Sequence, residues 1–319
     1  MQRTILVPVD RSAFAEAAVP YAALMARRSG ATLHFVEVQT LLTAETAPGL
    51  PVTIDAAFVA EIEFQAETWL RDLADRVSKE HGVETRWALL QGAVVPALDA
   101  YAREEGVDLI VMSTHGRGGL RRAWLGSVAD RLIRHVTVPV LLIRPAEAAM
   151  PAAPDAFRNI VVGLDGSPIA EHALDAAMTV AAHGVTRITL ARIAVAPLHI
   201  NSSYLPDAAR TQREEEARAR QEAEEYLAVV AARIRPGWND LETRVVTAYQ
   251  TAGALLDLAA TESADLIVVG THGRGPITRA FLGSVADKVI RGADRPVLVV
   301  PVQLIAEAPA PRMELAGIG

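Results

Sequence analysis

Short apolar runs alternate with longer amphipathic ones along this chain, and their order predicts its architecture. Runs at 4–9, 32–38, 84–90, 108–112 and 139–143 are rich in Val, Ile and Leu and too short for core helices, so they read as strands. Between them, apolar positions recur at helical spacing near 13–29, 56–80, 94–105 and 127–135. The series is β-α-β-α-β-α-β-α-β. Leu109, Ile110, Val111 and Met112 are apolar without alternation, which requires burial on both faces of a sheet. Right-handed crossovers then give a doubly wound α/β fold around a parallel sheet.

The same series is written twice. DLIVMSTHGRGGLRRAWLGSVADRLIRHVTVPVLLIR at 108–144 and DLIVVGTHGRGPITRAFLGSVADKVIRGADRPVLVVP at 265–301 are identical at 22 of 37 positions. TILVPVDRSAFAEAAVPYAALMA at 4–26 corresponds to NIVVGLDGSPIAEHALDAAMTVA at 159–181, pairing Asp10 with Asp165 and Ser12 with Ser167. A period this long is that of a duplicated domain, not of a solenoid. The expected organisation is a first domain over 1–146, a Pro/Ala-rich linker over 147–157, a second domain over 158–303 and a disordered tail over 304–319. Each domain is expected to hold five parallel strands in the order 3-2-1-4-5. A charged helix around 207–234, containing REEEARARQEAEE, reads as a solvated face laced by i,i+4 ion pairs rather than as a partner-binding helix.

Composition narrows the chemistry. The 319 residues suffice for two cores, and with 51% hydrophobic but 5% aromatic residues those cores are aliphatic. A net charge of -7 speaks against a nucleic-acid surface, which needs clustered basic residues. The absence of cysteine excludes disulfides, thiolate nucleophiles, Fe–S clusters and zinc–thiolate sites. No apolar stretch after Met1 is long enough for a signal peptide or a membrane span, so a cytoplasmic protein without membrane contact is expected.

Ligands of open α/β sheets bind outside the carboxyl ends of the strands, where strand order reverses. With the order 3-2-1-4-5 that point lies between the first and fourth strands. Asp10 closes the first strand, and the fourth runs into Ser113-Thr114-His115-Gly116-Arg117-Gly118-Gly119. The second half places Asp165 and Gly270-Thr271-His272-Gly273-Arg274-Gly275 in the same relation. Glycines here let backbone N–H groups approach an anion closely. Gly126-Ser127-Val128 and Gly283-Ser284-Val285 open helices whose first N–H groups and dipole favour phosphate. A polyphosphate gripped from two sides leaves the aspartates at the nucleoside end, where they accept bonds from ribose hydroxyls or a base amino group. Asp-x-Ser before a helix is also the sequence of a capped turn, and that reading stays open.

His115 and His272 admit roles as general bases or metal ligands. No second His or carboxylate stands at ligand spacing, which favours backbone support or phosphate contact. Arg117, Arg274, Arg122 and Arg279 recur in both halves, as phosphate partners or as exposed loop cations. There is no Gly-x4-Gly-Lys-(Ser/Thr) phosphate loop, no Gly-x-Ser-x-Gly nucleophile elbow and no His-Glu-x-x-His zinc motif. A catalytic role is therefore not expected beyond weak hydrolysis of a bound polyphosphate.

The pattern Gly-x2-Gly-x9-Gly-(Ser/Thr), preceded by an Asp at the end of the first strand, resembles the ATP-binding subgroup of the universal stress proteins. That family's fold is adenine nucleotide alpha hydrolase-like, and the resemblance covers nearly the whole chain as a tandem pair. Gly270, Gly273, Gly283 and Ser284 complete the motif; the first half has Ser113 at the first glycine and keeps Gly116, Gly126 and Ser127. The resemblance implies adenine or ribose contacts from Asp10, Val36 and Ser113, and phosphate contacts from Gly116, Gly126, Ser127 and Val128. In the second half it implies Asp165, Ile193 and Gly270, then Gly273, Gly283, Ser284 and Val285. Met112 and Val269, at the strand ends, and His115, Arg117, His272 and Arg274, in the loops, join the candidate binding residues. Tyr249, aligned with Gly92, is expected to crowd the second pocket.

The implied ligand is ATP, with AMP or ADP as alternatives and Mg²⁺ or Mn²⁺ as companion ion. Its occupancy would serve a stress-response signal. The alternatives are a slow ATPase using the same pockets and a structural partner protein that binds no nucleotide. The fifth strands, Val140–Ile143 and Val297–Val300, are apolar edges that a lone domain must cover. They are expected to pair with each other inside the chain, with a homodimer of the whole chain as a further association.

Overall fold

The computed structural model describes residues 3–40, 56–114, 125–144, 155–182, 184–195, 208–238, 240–271 and 282–301. The first half runs β1 (Thr4–Pro8), α1 (Ala13–Glu16), α2 (Val19–Ser29), β2 (Thr32–Gln39), α3 (Ala56–His81), β3 (Thr85–Gln91), α4 (Val94–Glu104), β4 (Leu109–Ser113), α5 (Ser127–His135) and β5 (Val140–Ile143). The second runs β6 (Asn159–Gly163), α6 (Pro168–Val180), β7 (Arg187–Ala194), α7 (Ala208–Ile234), β8 (Leu241–Thr247), α8 (Thr251–Thr261), β9 (Leu266–Gly270), α9 (Ser284–Gly292) and β10 (Val297–Val300).

All ten strands form one sheet in the order β3-β2-β1-β4-β5-β10-β9-β6-β7-β8. Each half is parallel and follows 3-2-1-4-5, so the order reverses beside β1 and β4, and again beside β6 and β9. The halves meet where β5 and β10 pair antiparallel, with Leu298 opposite Leu141 on a pseudo-twofold axis. Both strands are buried at every position, whereas the outer strands β3 and β8 are mostly half-buried with two exposed positions each and carry Arg86 and Arg244. The apolar edge is thus inside and the polar edges face water.

Two aliphatic cores, one on each face, continue across the seam. One lies under α2, α3, α6 and α7, the other under α4, α5, α8 and α9. Polar bonds reinforce the seam: Arg144 Nη1 donates to the carbonyl of Ala293 at 2.9 Å, and Arg28 Nη1 to that of Val180 at 3.1 Å. Phe157, at the end of the expected linker, is fully buried.

The single helix expected over 13–29 is two. Ala17 and Ala18 turn between α1 and α2, and Pro20 lies in the first turn of α2. Proline has no N–H to give the carbonyl four residues back and clashes with it, so the helix restarts. In the second half the proline is Pro168, at the start of α6, and the helix runs unbroken. On α7, Arg210–Glu214 and Arg220–Glu224 form exposed i,i+4 pairs at 3.3 and 2.8 Å. Among the described residues no helix is long and apolar enough to cross a membrane.

Candidate functional site

The turn after the first strand is built alike in both halves. Ser167 Oγ accepts the N–H of Ala170 at 3.3 Å, capping α6, while its own N–H and hydroxyl donate to Asp165 Oδ1 at 3.0 and 2.6 Å. Ser12 Oγ accepts the N–H of Ala15 at 3.1 Å, and Ser12 donates to Asp10 Oδ1 at 3.1 and 2.5 Å. The serine is therefore the helix cap, and the aspartate is fixed beside it through one oxygen. Capping and ligand binding are compatible roles for the pair.

The glycines at the start of α5 and α9 also anchor their helices. Gly283 N–H donates to the carbonyl of Thr271 at 2.7 Å, and Gly126 N–H to that of Thr114 at 2.6 Å. These bonds tie each helix start to the end of the fourth strand. The cap residues themselves, being glycine, offer no side-chain cap. The helix N–H groups left for a ligand are those of the next residues, Ser284, Val285 and Ala286 in the second half.

These parts surround a cavity of about 600 Å³ at the reversal point of the second half. Asp165, Ile193, Val269, Gly270, Gly283, Ser284 and Val285 all line it. Its size is that of a small-molecule site. Gly163 and Gly270 fit their neighbours closely: a Cβ on Gly163 would stand 3.0 Å from Leu255 Cδ2, and one on Gly270 2.9 Å from Ile169 Cγ1. The second glycine lets the first turn of α6 lie against β9.

The lining also includes residues that the sequence reading passed over, among them Ala191, Arg192, Glu222, Thr251 and Thr271. Arg192, a charge inside an otherwise apolar strand, was the one visible signal among them. Its guanidinium carbon lies 4.6 Å from the centre of the Tyr226 ring. The Tyr226 hydroxyl is buried without a hydrogen-bond partner among the described residues. Burial raises its pKa, and the carboxylates of Glu171 and Asp165 add to that rise against the opposing charge of Arg192.

The first half repeats the frame. Val9 N–H donates to the carbonyl of Val36 at 2.9 Å, as Leu164 N–H does to that of Ala191 at 2.8 Å. Met112 and Ser113 end β4, both buried, and Gly126, Ser127 and Val128 form the start of α5. The strand register corrects one correspondence: Val36 matches Ala191, and the counterpart of Ile193 is Val38. Tyr249 is a second correction. It is half exposed, accepts a hydrogen bond from Gln212 Nε2 at 2.9 Å and does not line the cavity. Ala248, not Tyr249, makes the strand-end bond that Gly92 makes in the first half, so Tyr249 belongs to a turn one residue longer. His115, Gly116, Arg117, Arg122, His272, Gly273, Arg274 and Arg279 lie outside the described residues.

The sequence matches the universal stress protein family over residues 1–144 and again over 156–301. The chain belongs to the universal stress protein family. A universal stress protein of Mycobacterium tuberculosis is 30% identical over 328 residues, covering 96% of this chain and 97% of its own length. One of Mycolicibacterium smegmatis is 30% identical over 308 residues, covering 93% and 96%. A universal stress protein structure from Archaeoglobus fulgidus superposes with a TM-score of 0.65 at 19% identity, covering 93% of this chain and 96% of that one. The tandem fold is therefore shared with a solved universal stress protein. In this member the cavity lies where doubly wound sheets hold their ligands.

Proposed function

We propose that this tandem universal stress protein binds an adenine nucleotide, ATP foremost and AMP or ADP by the same contacts, and that occupancy is its regulatory signal. The observation that carries this reading is the meeting of Asp165 and the glycine-capped start of α9 on one cavity of about 600 Å³. A helix start gains from an anion, through its free N–H groups and its dipole. A carboxylate held by a turn accepts ribose hydroxyls. The two chemistries fit the two ends of a nucleotide.

In this reading Asp165, Ile193, Val269 and Gly270 hold the nucleoside, and Ser284 and Val285 hold phosphate. His272, Gly273 and Arg274 would complete the grip, with His115, Gly116 and Arg117 doing so in the first half. Asp10, Val38, Met112 and Ser113 are the nucleoside side of that first site, and Ser127 and Val128 its phosphate side. Mg²⁺ or Mn²⁺ would be held mainly by phosphate oxygens and water, as Mg²⁺ usually is in nucleotide sites. The β5–β10 ribbon would keep the halves together in solution as a pseudo-dimer, with only those two strands between β4 and β9.

Calorimetric titration with ATP tests the reading. The wild-type chain is expected to bind saturably, and Asp10→Ala with Asp165→Ala to lose at least about tenfold in affinity, or ~1.4 kcal/mol. Absence of binding by the folded wild-type protein would overturn it.

A further inference from the structure

A second cavity, of about 480 Å³, lies at the seam between the halves. Met25 and Arg28 of α2, Ala176 and Val180 of α6, and Ile5 and Leu298 of the sheet line it. It is at the amino ends of the first-half strands, where Asp108 and Pro139 also reach it, and none of its residues lines the cavity of the candidate nucleotide site.

The pseudo-twofold axis at Leu141 and Leu298 sets an equivalent position on the other side of the seam. That position is filled. Tyr21 stands there where Ala176 stands here, and the fully buried Phe157 stacks on it, ring centres 6.3 Å apart and planes 21° from parallel. Burial raises the Tyr21 pKa, and the charge of Asp265, counterpart of Asp108, adds to that rise. The tyrosine ring on one side of the seam is thus matched on the other by the methyl group of Ala176, which lines a cavity.

The open side is also charged. Arg3 and Arg28 line it against the single carboxylate of Asp108, whose Oδ2 already accepts the N–H of Thr4 at 2.8 Å. Arg28 Nη1 covers the carbonyl of Val180 at 3.1 Å, one of the helix-end carbonyls that would otherwise repel an anion. Burial lowers the Arg28 pKa, the mark of a guanidinium that has lost part of its hydration.

We propose that the seam cavity binds an amphipathic monoanion, an aryl or branched-alkyl carboxylate. Its apolar part takes the place that the Tyr21 ring takes across the axis, and its carboxylate meets Arg28. Such a ligand touches α2 and α6 together and so binds only the paired halves. The proposal is independent of the nucleotide reading.

Methyl-labelled methionine in the full-length protein gives the test, with 3-phenylpropionate as probe. Of the six methionines, Met25 lines this cavity and Met112 ends β4 beside the first candidate nucleotide site, so their signals separate the two places. Met25 is expected to shift saturably, with a dissociation constant of about 1 mM, while Met112 stays still. The neutral 3-phenylpropan-1-ol and the cationic 3-phenylpropan-1-amine should bind at least about fivefold more weakly, because charge-assisted hydrogen bonds are the stronger ones. Arg28→Met should remove that preference, and Ala176→Phe, which refills the space, should remove the Met25 response. Should Ala176→Phe not fold, the acid-to-alcohol ratio in wild type and Arg28→Met decides alone. A Met25 signal unmoved at about 10 mM probe would overturn the proposal. So would equal binding of the three probes, or an undiminished response in folded Ala176→Phe.

Discussion

In the second half a glycine, Gly270, ends the fourth strand, and in the first a serine, Ser113, ends it. The contrast continues outward from there. Gly166 follows Asp165 with φ 83°, whereas Arg11 follows Asp10 in the same left-handed region, at φ 63°, where a side chain costs about 1–2 kcal/mol. Arg11 Nε is held there by the buried Glu37, at 2.9 and 3.1 Å. At the place of Glu37 the second half has Arg192, laid over Tyr226. On the long helices Arg76 and Arg233 pair with the equivalent Glu16 and Glu171, and this match, with the buried Leu70 and Ala74 at the places of Leu227 and Ala231, puts Trp69 at the place of Tyr226 and Gln65 at that of Glu222. The frame, made of backbone bonds such as Gly126 N–H to Thr114 and Gly283 N–H to Thr271, is the same in both. Duplication has kept what the backbone builds and changed what side chains put around it, so the two sites should differ in affinity.

The largest test of this comparison is at the seam, where the backbone pairing is equivalent but Leu298 borders the seam cavity and Leu141 does not. Leu141→Ala and Leu298→Ala should each cost about 2–5 kcal/mol, since each removes a fully buried side chain. Chemical denaturation should show the larger loss for Leu141→Ala, because Leu298 already borders a cavity and is packed less tightly; equal losses would contradict the asymmetry of the seam. At the sites, Ile193→Trp should fill the second cavity and lower ATP affinity there at least about a hundredfold, ~2.7 kcal/mol, leaving the first site intact. Val38→Trp should do the converse. If Val38→Trp leaves the first site unchanged, the register match with Ile193 has no functional meaning.

Exchanging the strand-end residues sharpens the comparison further. Gly270→Ser puts a Cβ 2.9 Å from Ile169 Cγ1 and should weaken the second site about tenfold, ~1.4 kcal/mol, with Ser113→Gly strengthening the first. The smallest effect is in acid. His34, buried with Nδ1 3.0 Å from the Tyr101 hydroxyl, has its pKa lowered from 6.5, chiefly by burial. The neutral ring is the folded form, so its contribution is complete above about pH 6.5 and is lost as the pH falls toward the lower folded value. The second half has Thr189 at this place, which does not titrate. Hydrogen exchange should therefore show β2 loosening before β7 on acidification, and His34→Thr should abolish the difference.

The strands were legible because buried parallel strands are unbroken aliphatic runs, and the repeat showed each of them twice. The break between α1 and α2 was written in Pro20, but alanine periodicity continues through it and hides the turn. Asp165, Gly270 and Ser284 could be picked out because strand ends and helix starts have local signatures. Val38 and the true place of Tyr249 could not, because a two-residue slip in a strand match keeps the same face and a one-residue insertion in a turn has no pattern. Glu222 and Thr251 reach the cavity from elements whose registers only packing decides. The seam cavity needed the axis, which no single half contains.

The central claim is that the second-half cavity holds an adenine nucleotide. Native mass measurement of the intact chain with ATP, for wild type and Ile193→Trp, tests it most directly. The account predicts nucleotide on the wild-type chain, with the tighter-bound equivalent absent from Ile193→Trp; the same occupancy on both, or none on either, would contradict it.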